Sequence, residues 1–142
     1  MARRAAVGGT LILDAEGLVK LAAGDLGART WARRAANRRA NIVTAASTIA
    51  EVLRGTPRDA AVHRVLNTVT VVAIGRAHGR LAGELLGLTG LPGRCAMDAL
   101  LAAVALSQPR PAILVTSDPD DLAKLTEEPH RPRAERIAIV RA

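Results

Sequence analysis

Five carboxylates stand where this chain changes character. Asp14 closes the apolar run TLIL, Glu51 follows STIA, and Asp98 interrupts the otherwise apolar AMDALLAAVAL. Asp118 and Asp121 lie in SDPDDLAKL, directly after AILVT. Each has a plain structural reading. Asp14 and Asp118 suit helix N-caps, the second with Pro119 at the first helical position. Thr48 and Glu51 have the spacing of a capping box. Asp98 falls in a first helical turn, where the helix dipole favours an anion. A shared chemistry competes with these readings. Carboxylates meeting at one place repel each other and raise their pKa values, and a divalent cation removes that conflict. Oxygen-only donors suit Mg²⁺ or Mn²⁺.

Other site chemistries find less support. Cys95 is the single cysteine, so neither a disulfide framework nor a cysteine-based zinc site is available within one chain, and a reducing cytoplasm fits. His63, His78 and His130 lack the i,i+4 spacing of a zinc helix and read as surface or half-buried residues. No G-x-G-x-x-G follows the first apolar run, which argues against a dinucleotide site; the Gly79, Gly83 and Gly87 spacing reads as close helix packing. A phospho-acceptor domain would need a lysine after a late strand, and Lys124 falls inside a helical stretch.

The elements that must position the acids follow from periodicity. Strands are expected at 10–13, 42–45, 68–74, 112–115 and 136–140. Helices are expected at 15–24, 25–41, 47–55, 58–67, 76–88, 96–106 and 118–125, with Gly24 as a stop signal and a polar loop over 126–136. Alternating strands and helices point to one α/β domain over residues 1–142 with a parallel sheet. In such a sheet the turns after the strands gather at one edge, where ligands bind. Asp14 and Asp118 would occupy that edge, with Glu51 and Asp98 at the starts of neighbouring helices. An ionised Asp98 in so apolar a helix must be exposed, protonated, paired or on a metal.

Composition narrows the partners. Twenty Lys and Arg against thirteen Asp and Glu give a net charge of +7, and only Lys20 and Lys124 are lysines. A basic, arginine-rich chain suits a polyanion, foremost a nucleic acid. Aromatics are 1% of the chain, so a surface that stacks bases on sheet aromatics is excluded. Asp14 ends the apolar patch after Arg3 and Arg4 too early for a secretory leader, and no stretch has transmembrane length. In the helix expected over 25–41, Arg29, Arg33, Arg34 and Arg38 fall on one half and Trp31, Ala28, Ala32 and Ala35 on the other. That basic half is a candidate RNA contact.

The stretches LILDAEGLVKL, TAASTIAEVLRG, CAMDALLAAVAL and ILVTSDPDDLAKL resemble, in order and spacing, the motif series of PIN-domain ribonucleases, especially VapC-type toxins of toxin–antitoxin pairs. The last matches a T-x-D-x-x-D pattern at Thr116, Asp118 and Asp121. Ala15-Glu16 stands where many members have a small hydroxyl residue, and Leu122 where Phe is common. The resemblance implies a PIN-like three-layer α/β fold with a central parallel sheet of four to five short strands. It implies a metal-dependent endoribonuclease, cytoplasmic, neutralised by a VapB-like antitoxin and forming a homodimer. Asp14, Asp98 and Asp118 would hold Mg²⁺ or Mn²⁺, Glu51 a second ion or the attacking water, Asp121 an outer position, and Thr116 would orient a carboxylate. The alternative is a non-catalytic RNA-binding module with the same fold, its acids serving as caps.

Overall fold

A computed structural model describes residues 8–142; Arg3 and Arg4 lie outside them. Five short strands form one sheet: β1 (Thr10–Leu13), β2 (Asn41–Ala45), β3 (Thr70–Val72), β4 (Ala112–Thr116) and β5 (Ala138–Arg141). Their order is β3-β2-β1-β4-β5, and every pairing is parallel. The chain builds outward from β1 through β2 to β3, then returns to lay β4 on the other side of β1. The switch point therefore lies between β1 and β4, and their carboxyl ends bound a crevice.

Seven helices cover the sheet: α1 (Ala15–Ala22), α2 (Leu26–Asn37), α3 (Ala46–Val52), α4 (Ala60–Leu66), α5 (Arg76–Thr89), α6 (Ala96–Leu106) and α7 (Pro119–Leu125). Side chains alternate across each strand, so β1 feeds two cores. Leu11 and Leu13 pack with Leu18 of α1, Ala35 of α2 and Val62 of α4. Ile12 packs with Val43, Leu114 and the α5–α6–α7 layer. Helix α6 contributes Ala99 and Leu101–Ala105, all buried, as its all-round apolar sequence requires. The result is the three-layer α/β domain expected from the sequence. Among the described residues, no helix is long and apolar enough to cross a membrane.

Every expected element is present, with shifted ends. Helix α1 stops at Ala22, and Gly24 follows at φ +78°, a backbone that suits glycine as a stop. The 68–74 run shrinks to β3, a three-residue edge strand whose first two side chains are exposed. The 58–67 helix opens with a 3-10 turn over Pro57–Asp59. Two local readings need correction. Thr48 lies inside α3, whose N-cap is Ala45, so Thr48 and Glu51 form no capping box and the Glu51 carboxylate is free of that duty. Gly79, Gly83 and Gly87 pack against nothing: an added Cβ at each would meet open space. They line an exposed face of α5 instead.

The 126–136 segment is held by arginine. Arg110, beside the start of β4, pairs with Glu128 at 2.6 Å, their side chains 13% and 10% exposed. Arg110 also donates to the carbonyls of Glu135 (2.8 Å) and Leu106 (3.0 Å), and Arg131 closes on Glu128 at 2.8 Å. Burial raises the Glu128 pKa, but hydrogen bonding and charge from Arg110, then Arg131, more than offset it and hold the carboxyl below its ordinary value of 4.5. The lowered value means that this support is complete above the ordinary range and fades only as pH falls through the folded-state value.

Two stability predictions follow from these contacts. Glu128→Ala leaves the Arg110 guanidinium buried without its partner and should cost about 3 kcal/mol, read as a lower urea midpoint. Gly83→Ala should stabilise the isolated chain by about 0.5–1 kcal/mol in the same assay, since helix propensity improves and no neighbour resists the methyl group.

Candidate metal centre

Asp14 is the most firmly held acid. It follows β1 directly, and its N–H donates to the Val115 carbonyl of β4 (3.2 Å). The preceding carbonyl, Leu13, accepts the buried Thr44 hydroxyl of β2 (2.8 Å). The backbone leading to Asp14 is thus tied to both neighbouring strands. The Asp14 side chain caps α1, taking the Gly17 N–H on Oδ1 at 2.7 Å. Gly17 permits this approach: a Cβ there would meet the Val115 carbonyl at 3.2 Å and Asp14 Oδ1 at 3.3 Å. So the N-cap reading of Asp14 holds, and it leaves the second carboxylate oxygen available.

Thr116 ends β4 fully buried, and its hydroxyl accepts the Asp118 N–H at 3.0 Å. The same side chain faces the Asp14 carboxylate and lowers its pKa. One side chain therefore links the turns leaving β1 and β4. Asp118 occupies the N-cap position of α7 but makes no side-chain capping bond, so its carboxylate is not consumed by the helix as the cap reading required. Asp98 enters from the first turn of α6, and Glu51 from α3.

The electrostatics show that these groups face one another. Burial raises the Asp98 pKa first, and the charges of Asp118, Asp121 and Asp14 raise it further. Burial, then Asp98 and Asp14, raise Glu51. Burial raises Asp14 above its ordinary value against the lowering influence of Thr116, Gly17 and Ser117. Asp121 receives the Cys95 thiol at 3.8 Å. Five acids from four separate segments thus converge on the carboxyl edge beside the β1–β4 switch point.

The donor set fits a hard divalent cation: it is all oxygen and strongly anionic, with Asp14, Asp98 and Asp121 half-buried and Glu51 and Asp118 exposed. Ser47, one turn before Glu51 on the same face of α3, adds an orphan. Its Oγ is buried with no hydrogen-bond partner among the described residues. Among those residues, no three His, Cys, Asp or Glu side chains are already gathered tightly enough to hold an ion, so ligation requires carboxylate side chains to rotate inward.

The remaining candidates are placed elsewhere. Arg29, Arg33, Arg34 and Arg38 are exposed on α2, while Ala28 and Ala35 are buried and Trp31 and Ala32 half-buried. The four arginines divide into flanks. Arg29 lies beside Ala32 and faces α4, whereas Arg34 and Arg38 lie on the Trp31 side near the start of β1, opposite the acids. The cations at the acid edge are others. Arg141, paired in register with Thr116, donates to the Ser117 carbonyl (3.1 Å), and Arg94 lies near Cys95. Neither they nor Ser47 and Thr44 carry a motif signal. Their roles come from strand register and helix phase, which appear only with the fold. His78 caps α5 by accepting the Gly75 N–H (3.0 Å), and His63 and His130 are exposed.

The raised values carry a sign. A carboxylate with a folded-state pKa above its unfolded value costs stability when ionised, and the cost is relieved as pH falls through the folded value. Asp98→Asn should therefore raise the Tm of the metal-free chain at neutral pH. The gap to the parent should close as pH falls into the ordinary carboxylate range, as followed by thermal unfolding across pH.

No protein-family model and no curated protein sequence matches the chain. Solved structures do match its fold. A chain of VapBC2 from Rickettsia felis, bound to a promoter DNA fragment, superposes with a TM-score of 0.68 at 15% identity, covering 94% of this chain and 98% of that one. A toxin–antitoxin complex from Klebsiella pneumoniae gives 0.61 at 20% identity, with 80% and 90% covered. FitAB bound to an IR36 DNA fragment gives 0.62 at 13% identity, with 92% and 94% covered. Likeness at these identities establishes architecture, and the chain has the PIN-like three-layer α/β fold that its four motifs implied.

Proposed function

We propose that this chain is a metal-dependent endoribonuclease, the toxin of a toxin–antitoxin pair. The observation that carries the reading is the convergence of Asp14, Glu51, Asp98 and Asp118, from four segments, on one edge where the charges of Asp14 and Asp118 raise the Asp98 pKa and those of Asp98 and Asp14 raise that of Glu51. The fold supports it, since the structures it resembles are toxin–antitoxin complexes. An antitoxin protein of the VapB kind, RNA as substrate and a homodimer belong to the same reading.

Asp14, Asp98 and Asp118 would hold Mg²⁺ or Mn²⁺, with Asp121 in an outer position. Such an ion, when bound, lowers the pKa of its water and stabilises charge at the scissile phosphate. The chain's own groups do the rest. Thr116 holds the Asp14 carboxylate in orientation, as groups behind a metal ligand do. Glu51, whose pKa is raised by burial and by the charges of Asp98 and Asp14, serves as the group that orients the attacking water and accepts its proton. Ser47 offers that water a hydroxyl from the same helix face. Arg94 and Arg141 at the acid edge meet the phosphate chain, and the exposed Arg29 and Arg33 of α2 add to the protein's overall positive field.

A non-catalytic RNA-binding module is the second reading. It is favoured by one feature: among the described residues the acids stand apart, with no three in ligand reach of a common point. Cleavage of a mixed RNA pool decides between them. The purified chain should cut with Mg²⁺ or Mn²⁺ and stop when a chelator is added. Asp14→Asn and Asp98→Asn should each lower the rate at least 100-fold while unfolding cooperatively as the parent does. RNA bound but intact in every divalent metal, with the acid variants binding equally, would select the second reading.

A further inference from the structure

A second built feature lies at the opposite edge of the sheet. A hollow of about 270 Å³ opens between the C-terminal half of α2 and the starts of β1 and β4. Leu11, Pro111 and Ile113 form an aliphatic wall, and Trp31, the only aromatic residue of the chain, forms another. Arg34 and Arg38 stand exposed at the rim with Asn37. The Arg34 guanidinium sits 5.1 Å from the Trp31 ring centroid. Held over an indole, it keeps its N–H edges free for an anion. Among the described residues no carboxylate pairs with Arg34 or Arg38, and the seven residues before Gly8 contain none.

These features select an occupant. Two uncompensated guanidinium groups call for a dianion or two anionic oxygens, and a phosphate fits their fork geometry. An inorganic ion would leave the indole and the aliphatic wall unused. A planar, largely apolar body attached to the anion would fill the space between them, and base–aromatic stacking is favourable whatever the base. Asn37 presents both a donor and an acceptor to a polar ring edge. We propose that this hollow binds a nucleotide, its base against Trp31 and the aliphatic wall and its phosphate on Arg34 and Arg38. The hollow lies a strand length, about 13 Å, from the acid edge. Its occupancy requires neither the metal nor cleavage, so it stands or falls apart from the nuclease reading.

The nucleotide can be free or part of a single-stranded RNA, and the test separates the sources. Trp31 is the sole fluorophore, excited at the red edge of its absorption, where nucleotides are transparent. The full chain is titrated in chelator with adenosine monophosphate, with inorganic phosphate and with a short oligoadenylate. The expected result is saturable quenching by the nucleotide or the oligomer, and at least tenfold weaker binding of inorganic phosphate. Arg34→Ala and Arg38→Ala should each weaken the organic ligand about tenfold, the loss of one charge-assisted contact. Arg80→Ala on α5 should bind as the parent does. Equal affinity for the monomer and the oligomer identifies a free-nucleotide site, and tighter oligomer binding that both variants weaken identifies an RNA contact. Quenching by neither ligand, phosphate as effective as the nucleotide, or variants that bind like the parent would each overturn the proposal.

Discussion

Like charges held at one edge are the constraint around which this molecule is arranged. Carboxylates that share such an edge repel through a medium that screens them less than bulk water does. Flexible segments would relax that repulsion by moving apart. Here each acid issues from an element that cannot move independently. Asp14 follows a central strand clamped by Val115 on one side and Thr44 on the other. Asp98 is anchored by a helix whose next seven residues include six that are buried. The two apolar layers on either face of the sheet supply the rigidity, and a parallel sheet with its switch point at β1–β4 supplies the common edge.

That arrangement has a local cost that the rest of the chain offsets. The acid edge lacks any ion pair of its own among the described residues, while the Arg110–Glu128 pair, largely buried, and the partly exposed Arg131 secure the segment leading to β5. Because Arg141 of β5 pairs with Thr116, which accepts the Asp118 N–H and faces Asp14, the arginine group at the amino end of β4 supports the geometry of the acids at its carboxyl end.

Elements and motifs were legible in the sequence for a specific reason: period-2 and period-3.6 apolar patterns are local, and the fold needs no long irregular loop. All five strands and seven helices were expected within a few residues. Misreadings arose where a local rule competed with tertiary context. Thr48 and Glu51 have the spacing of a capping box, but β2 runs directly into α3 and the helix is capped at Ala45, three residues earlier. The glycine spacing of α5 suggested packing, yet whether a helix face has a neighbour is decided by topology. Thr44, Ser47, Gly17 and Arg141 act through register and phase. No residue-type signal marks them until β1 lies between β2 and β4.

Net charge was the least transferable reading, because a sum has no address. Of the arginines behind the +7, Arg54, Arg110, Arg131, Arg136 and Arg141 donate to backbone carbonyls or Glu128, so they hold the chain's own structure. Arg34 and Arg38 face the far edge. The place where the acids meet is locally negative in a positive molecule. On the proposed reading, a phosphate chain is drawn to the protein at large yet opposed at the site itself until cations neutralise it. Affinity for the divalent ion and affinity for the polyanion are then linked, and each must strengthen the other by the same factor. A surface of uniform positive charge would have no such linkage, so on the proposed reading the mixed charge distribution would make the metal a condition of productive binding as well as of chemistry.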